Sequence, residues 1–143
     1  DHRDLHSFPT RRSSDLARLW HAVTLLREHR GDGHNVALVA EGIGGLEAHM
    51  LLAIDFGMEP EKFGRIHHLP APLLAEVLGG LQERGLVTAS KEFTGAGRAT
   101  KDRIEALTDA LAAPAYDVLS EAEVEELILL LEPLAAAVTA ADL

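Results

Sequence analysis

The sequence contains no cysteine, only 4% aromatic residues, and 13 basic side chains against 23 acidic ones. The missing cysteine excludes a disulfide scaffold, a thiolate zinc site and cysteine-based catalysis, and it suits a reducing cytosol. No apolar run approaches the roughly 18 residues of a membrane span, so the expected chain is cytoplasmic, with no membrane partner. The formal charge of −10 opposes non-specific attraction to phosphate backbones and anionic lipid. Scarce aromatics leave little with which to stack single-stranded bases. What is present is a 143-residue chain, 47% apolar, a size that suits one domain burying about two thirds of its unfolded surface.

Residues 1–16, DHRDLHSFPTRRSSDL, have neither a helical nor a strand period, and clean helical patterning begins abruptly at Ala17. The segment back-translates without a break into a sequence that resembles the common adapter oligonucleotide of short-read sequencing libraries. We set it aside as non-native and expect it to make few buried contacts. Its three Arg balance its three Asp, so the net charge is unaffected. The remaining 17–143 are then expected to form a single helical domain, the C-terminal part of a longer protein, organised as 17–69, 70–112 and 113–143.

From Ala17 to Arg30, Leu19, Val23 and Leu26, flanked by Trp20 and Leu25, have the spacing of one buried helical stripe. Gly31-Asp32-Gly33 predicts a stop, with Asp32 capping a second short helix, His34 to Glu41. After Gly42-Ile43-Gly44-Gly45 a helix resumes from Leu46 to Phe56, and Pro60 opens a brief one over Glu59 to His67. The next helix runs from Pro70 to Arg84 on Leu73, Leu74, Val77, Leu78 and Leu81. Its Gly79-Gly80 pair costs roughly 2 kcal/mol relative to two Ala, which calls for close backbone packing or a bend. Leu86-Val87-Thr88 and Glu92-Phe93-Thr94 around Ala89-Ser90-Lys91 predict a small hairpin. Thr94 caps a helix to about Ala112 with Ile104, Leu107 and Leu111 facing in. Ser120-x-x-Glu123 is a capping box that starts a final helix carrying Val124, Leu127, Ile128, Leu131, Leu134 and Val138, with Pro133 positioned to kink it.

The string Gln82-Glu83-Arg84-Gly85-Leu86-Val87, Phe93-Thr94-Gly95-Ala96-Gly97, Ile104 and Leu119-Ser120-Glu121-Ala122-Glu123 resembles the winged helix-turn-helix regulators of the MarR type. That resemblance implies a recognition helix ending in Arg-Gly-Leu, a hairpin wing and flanking dimerisation helices. Leu19 to His34, followed by Leu38-Val39-Ala40 and Gly45-Leu46-Glu47-Ala48, is similar to the SalK-type helix-turn-helix family of actinobacteria, which covers nearly all of Ala17 to Val138. It implies architecture more than chemistry.

A DNA reader would present Arg, Lys, Asn or Gln to base edges from the Pro70 to Arg84 helix, and that helix offers Gln82 and Arg84, both at its end. Lys91 is the hairpin's one cation, and Arg98 and Lys101 follow it. These five residues are the nucleic-acid-binding candidates. Arg98 with Asp102 and Lys101 with Glu105 also read as i, i+4 pairs on a solvated face. His21, His29, His34, His49, His67 and His68 include no i, i+4 pair of the kind that binds zinc. Of these, His34 is a ligand or structural candidate because it would sit in a first helical turn, and Trp20 is a core residue or a ligand platform. Gly42-x-Gly44-Gly45 lacks the strand that a dinucleotide loop needs, and no nucleophile elbow occurs. No enzyme, metal or cofactor is therefore expected of the residues in hand.

The seven acids and absent bases after Tyr116, beside a wide apolar face, read either as docking on the same chain or as a homodimer helix. We expect a mainly α fold, a winged helix-turn-helix with a short two-stranded wing. Its expected function is MarR-like transcriptional regulation with weak or degenerate binding of double-stranded DNA, under an effector of unassigned identity. The alternative is a module without DNA binding that holds a small molecule or a protein partner.

Overall fold

The computed structural model describes residues 10–141, with side chains from residue 14 onward. It is mainly helical: α1 (Thr10–Ala40), α2 (Gly45–Asp55), two short 3-10 turns (Pro60–Lys62 and Gly64–His68), α3 (Ala71–Glu83), α4 (Gly95–Ala112), a 3-10 turn (Ala113–Tyr116) and α5 (Glu121–Ala140). The chain divides into two compact units, the first closing at Leu111 and the second opening at Ala112. Of the segment read as non-native, residues 1–9 lie outside the described residues, and Ser14, Asp15 and Leu16 are exposed.

The core of the first unit gathers Ala37 and Leu38 from α1, Met50, Leu51 and Ile54 from α2, Leu74, Leu78 and Leu81 from α3, and Ile104 from α4, with Ile43, Ile66, Leu86 and Val87 from the connections. The α3 residues recur at i, i+4 and i+7, so one apolar stripe seats this helix on the core and leaves Ala71, Pro72, Ala75, Glu76 and Glu83 outside. The first half of α1 contributes little: Trp20, Val23 and Leu25, expected on a buried stripe, are exposed.

Gly31-Asp32-Gly33 does not stop α1, and Asp32 caps nothing. Glycine disfavours a helix by only about 1 kcal/mol, and packing outweighs that. A Cβ on Gly33 would stand 3.1 Å from the Leu111 Cβ, so the missing side chain lets α1 and α4 lie close together. Between Glu59 and His67 the single helix expected gives way to two 3-10 turns, broken where Gly64 takes a φ of +58°. On α4 the inward positions are Gly97, Thr100, Ile104 and Thr108, whereas Leu107 and Leu111 are partly exposed.

The two-stranded wing is not formed: among the described residues there are no strands or sheet, and Val87 and Phe93 make an isolated antiparallel bridge. Hydrogen bonding explains why pairing stops there. The Leu86 amide donates to the Leu81 carbonyl at the end of α3 (3.0 Å), and the Thr88 carbonyl accepts from the Lys91 amide (2.9 Å) and from Gln82 Nε2 (3.0 Å). The Glu92 amide then donates to the Thr88 hydroxyl (3.0 Å) instead of a backbone carbonyl. The groups a longer ladder would use already have partners, and residues 86–94 form a tight loop.

In the second unit, Ser120 starts α5 as its spacing predicts. Its hydroxyl accepts from the Glu123 amide (3.4 Å), while its amide and its hydroxyl both donate to Glu123 Oε2 (2.8 Å each), and these two donors hold the Glu123 carboxyl below its ordinary range. The helix continues through Pro133, and none of its residues is buried; Ile128, Leu129, Leu130, Leu134 and Val138 are exposed.

Gly97 and the Gly79-Gly80 pair should respond to alanine in opposite directions. A Cβ on Gly97 would come within 1.9 Å of the Leu86 carbonyl oxygen, so Gly97→Ala is expected to destabilise by about 2–3 kcal/mol. Nothing lies within 4 Å of a Cβ on Gly79 or Gly80, so alanine there should stabilise by up to about 1 kcal/mol per site. Urea unfolding of the three single variants checks both directions.

Candidate nucleic-acid interface

The segment from α2 through the 3-10 turns to α3 has the order of a helix-turn-helix, with α3 seated by Leu74, Leu78 and Leu81. Its solvent face carries Leu73, Glu76 and Glu83 and no cation. Neither glutamate has an ion-pair partner among the described residues.

Each of the five candidates read from the sequence already has an intramolecular partner. Gln82 Nε2 holds the Thr88 carbonyl, as above. Arg84 Nη1 donates to Glu47 Oε1 at 2.9 Å, while the other oxygen of Glu47 accepts from the Gly44 amide at the start of α2 (2.7 Å). Lys91, in the left-handed region at φ 62°, reaches both oxygens of Glu61 at 2.7 and 3.0 Å. Arg98 donates to Asp55 Oδ1 at 2.6 Å and lies 4.4 Å from the centroid of the Phe93 ring, a cation–π contact. Lys101 forms the expected i, i+4 pair with Glu105 (2.6 Å) and sits 3.6 Å from Asp55. Asp102, the expected partner of Arg98, is replaced in that role by Asp55.

The electrostatics follow from this pairing. The hydrogen bond from Arg98, with added attraction from Lys101, holds the Asp55 carboxyl below its ordinary range. Lys101 does the same to Glu105. Arg103 chelates Glu41 at 3.0 and 2.7 Å, lowering the glutamate and raising the arginine.

Sequence reasoning passed over Arg65, which is exposed on the 3-10 turn just before α3 and has no ion-pair partner among the described residues, with His67 and His68 exposed beside it. The signal was Arg65 just before the His67-His68 pair, of which only the two histidines were weighed, and those for metal binding. Among the described residues no three His, Asp or Glu side chains gather as a metal site would require.

His34 sits in the interior of α1, not in a first turn. Its Nδ1 is 3.0 Å from the Thr108 hydroxyl, and that hydroxyl donates its single proton to the Ile104 carbonyl (2.7 Å). The imidazole must therefore be the donor at Nδ1. His34 also lines a cavity of about 310 Å³ between α1, α2 and α4, with Asn35 and Leu38, His49 and Leu51, and Glu105. Trp20 is not part of it; the indole is 76% exposed.

The chain belongs to the helix-turn-helix family, whose sequence profile matches residues 5–143. That membership suggests a DNA-binding regulator kind of role. No curated protein and no solved structure matches the chain.

The Asp55 pairing makes stability depend on acid in a defined sense. A carboxyl whose folded pKa is lowered stabilises fully above its ordinary value, about pH 4. That contribution disappears as the pH falls through the lowered folded value. Asp55→Asn should therefore lower stability near neutrality by about 1 kcal/mol or less, given partial exposure, and the gap to the parent should close in acid. Urea unfolding of both proteins across pH tests this, and a gap that persists in acid would contradict it.

Proposed function

We propose that this helix-turn-helix protein is a MarR-like, SalK-type transcriptional regulator of the cytoplasm that touches double-stranded DNA weakly, through the turn before α3 rather than through cations on α3 itself. The observation that carries this reading is the exposed Arg65, without an ion-pair partner among the described residues, beside the start of a core-seated α3. Base reading by α3 is disfavoured because its solvent face offers two carboxylates and no bidentate donor. Pairing of two copies through α5 belongs to the same reading, supported by the exposed apolar row from Ile128 to Val138, and no catalytic step is assigned.

Phosphate contacts release counterions, so the slope of log affinity against log salt counts them at about 0.9 per phosphate. Fluorescence anisotropy on duplex DNA is expected to give a shallow slope, about −1 to −2, that Arg65→Ala flattens. A flat line for the parent protein would reject phosphate contact.

A second reading, an effector- or ligand-binding module, is favoured by the cavity at His34. Its volume falls in the range of small-molecule sites, and an apolar floor with a few oriented polar groups is their usual lining. Leu51→Trp should fill it, so a mixture of small apolar compounds that raises the melting temperature of the parent should leave that variant unmoved. An equal rise in both would exclude the cavity.

A further inference from the structure

The cations that follow α3 in the chain are held by carboxylates from one stretch of it. Arg84, Lys91, Arg98 and Lys101 run from the end of α3 into α4, and the acids that meet them are Glu47, Glu61 and Asp55, from α2 and the 3-10 turn after it. The pairs span 37, 30 and 43 residues of sequence for Arg84, Lys91 and Arg98, so they join separate elements. Asp55 is the last residue of α2, where the helix dipole disfavours a negative charge; what favours a carboxylate there is the pair of cations facing it. The separations of 2.6 to 3.0 Å at Arg84, Lys91 and Arg98 are those a phosphate oxygen would adopt toward the same donors. All three acids keep side-chain exposures of 20–28%, so a competing phosphate can reach the pairs from solvent.

We propose that Asp55, Glu61 and Glu47 are internal stand-ins for DNA phosphates and set the affinity of this protein for DNA by holding Arg98, Lys91 and Arg84. The inference rests on the DNA-contact reading above and adds its regulation. DNA must displace a carboxylate for each of these cations it engages, so the parent protein shows only the contacts that need no exchange. Lys101 is held twice, by Glu105 and Asp55, and stays engaged when Asp55 alone is changed.

The test compares the full chain with Asp55→Asn/Glu61→Gln on duplex DNA of mixed sequence across a salt series. Freeing Arg98 and Lys91 should steepen the slope by about 2, at about 0.9 per phosphate. Glu125→Gln/Glu126→Gln makes the same change in net charge on two exposed residues of α5 that have no ion-pair partner among the described residues, and is expected to leave the slope unchanged. Should the Asp55 variant fail to fold, Glu61→Gln alone frees Lys91 and should steepen the slope by about 1. An unchanged slope in a folded Asp55/Glu61 variant, with the parent still binding, overturns the inference and leaves the DNA reading standing. An equal gain in the α5 control also overturns it, since bulk charge would then be the cause. Binding by the Asp55/Glu61 variant alone, with none by the parent, supports the inference while removing the parent's own weak contact. Absence of binding in every variant overturns both.

Discussion

The close approach of α4 to the Leu86 carbonyl, possible only because residue 97 is glycine, positions much of the first unit. With a Cβ there at 1.9 Å from that oxygen, the first turn of α4 could not lie against the end of α3. The same contact brings Thr94 into place, where its hydroxyl accepts from the Gly97 amide (2.9 Å) and donates to the Gly85 carbonyl (2.6 Å). The 86–94 loop is thereby clamped at both ends, and Arg98, the residue after Gly97, and Lys101, one turn further along α4, are delivered to Asp55.

That delivery separates two properties usually found together in this class of protein. A helix-turn-helix shape needs only an apolar stripe on α3 and a short connection from α2, and both are present in Leu74, Leu78, Leu81 and the 3-10 turns. Phosphate affinity needs cations that are free to exchange counterions. Here Arg84, Lys91, Arg98, Lys101 and Arg103 all meet carboxylates, and the net charge of −10 deepens the deficit.

How far the sequence could be read depended on how local the deciding interaction was. The Ser120-x-x-Glu123 box, the Thr94 cap, the α3 stripe and the Lys101–Glu105 pair lie within one or two turns, and each is visible as a spacing. The run of α1 through Gly31 and Gly33 was hidden because Leu111, far along the chain, takes up the room that Gly33 leaves. The wing was misread for a similar reason: Gln82 and the Thr88 hydroxyl, which divert the backbone groups a ladder needs, carry no strand signal. Likewise Arg98 was assigned to Asp102 by spacing, whereas the fold gives it Asp55, 43 residues away.

The same logic locates what is distinctive at the candidate interface. Composition supplies an excess of acid but not its placement, and a uniformly acidic surface would repel DNA without masking any particular cation. The structure instead leaves Glu76 and Glu83 unpaired on the solvent face of α3 while Glu47, Asp55 and Glu61 each face a cation. The first pair acts by repulsion, screened within about 10 Å at moderate salt. The second group acts by direct competition at hydrogen-bond distance, which added salt weakens far less than it weakens long-range repulsion. On the proposed reading, two kinds of acid oppose DNA by two mechanisms with different salt dependence, and only the paired kind leaves cations in place that an exchange of partners could expose.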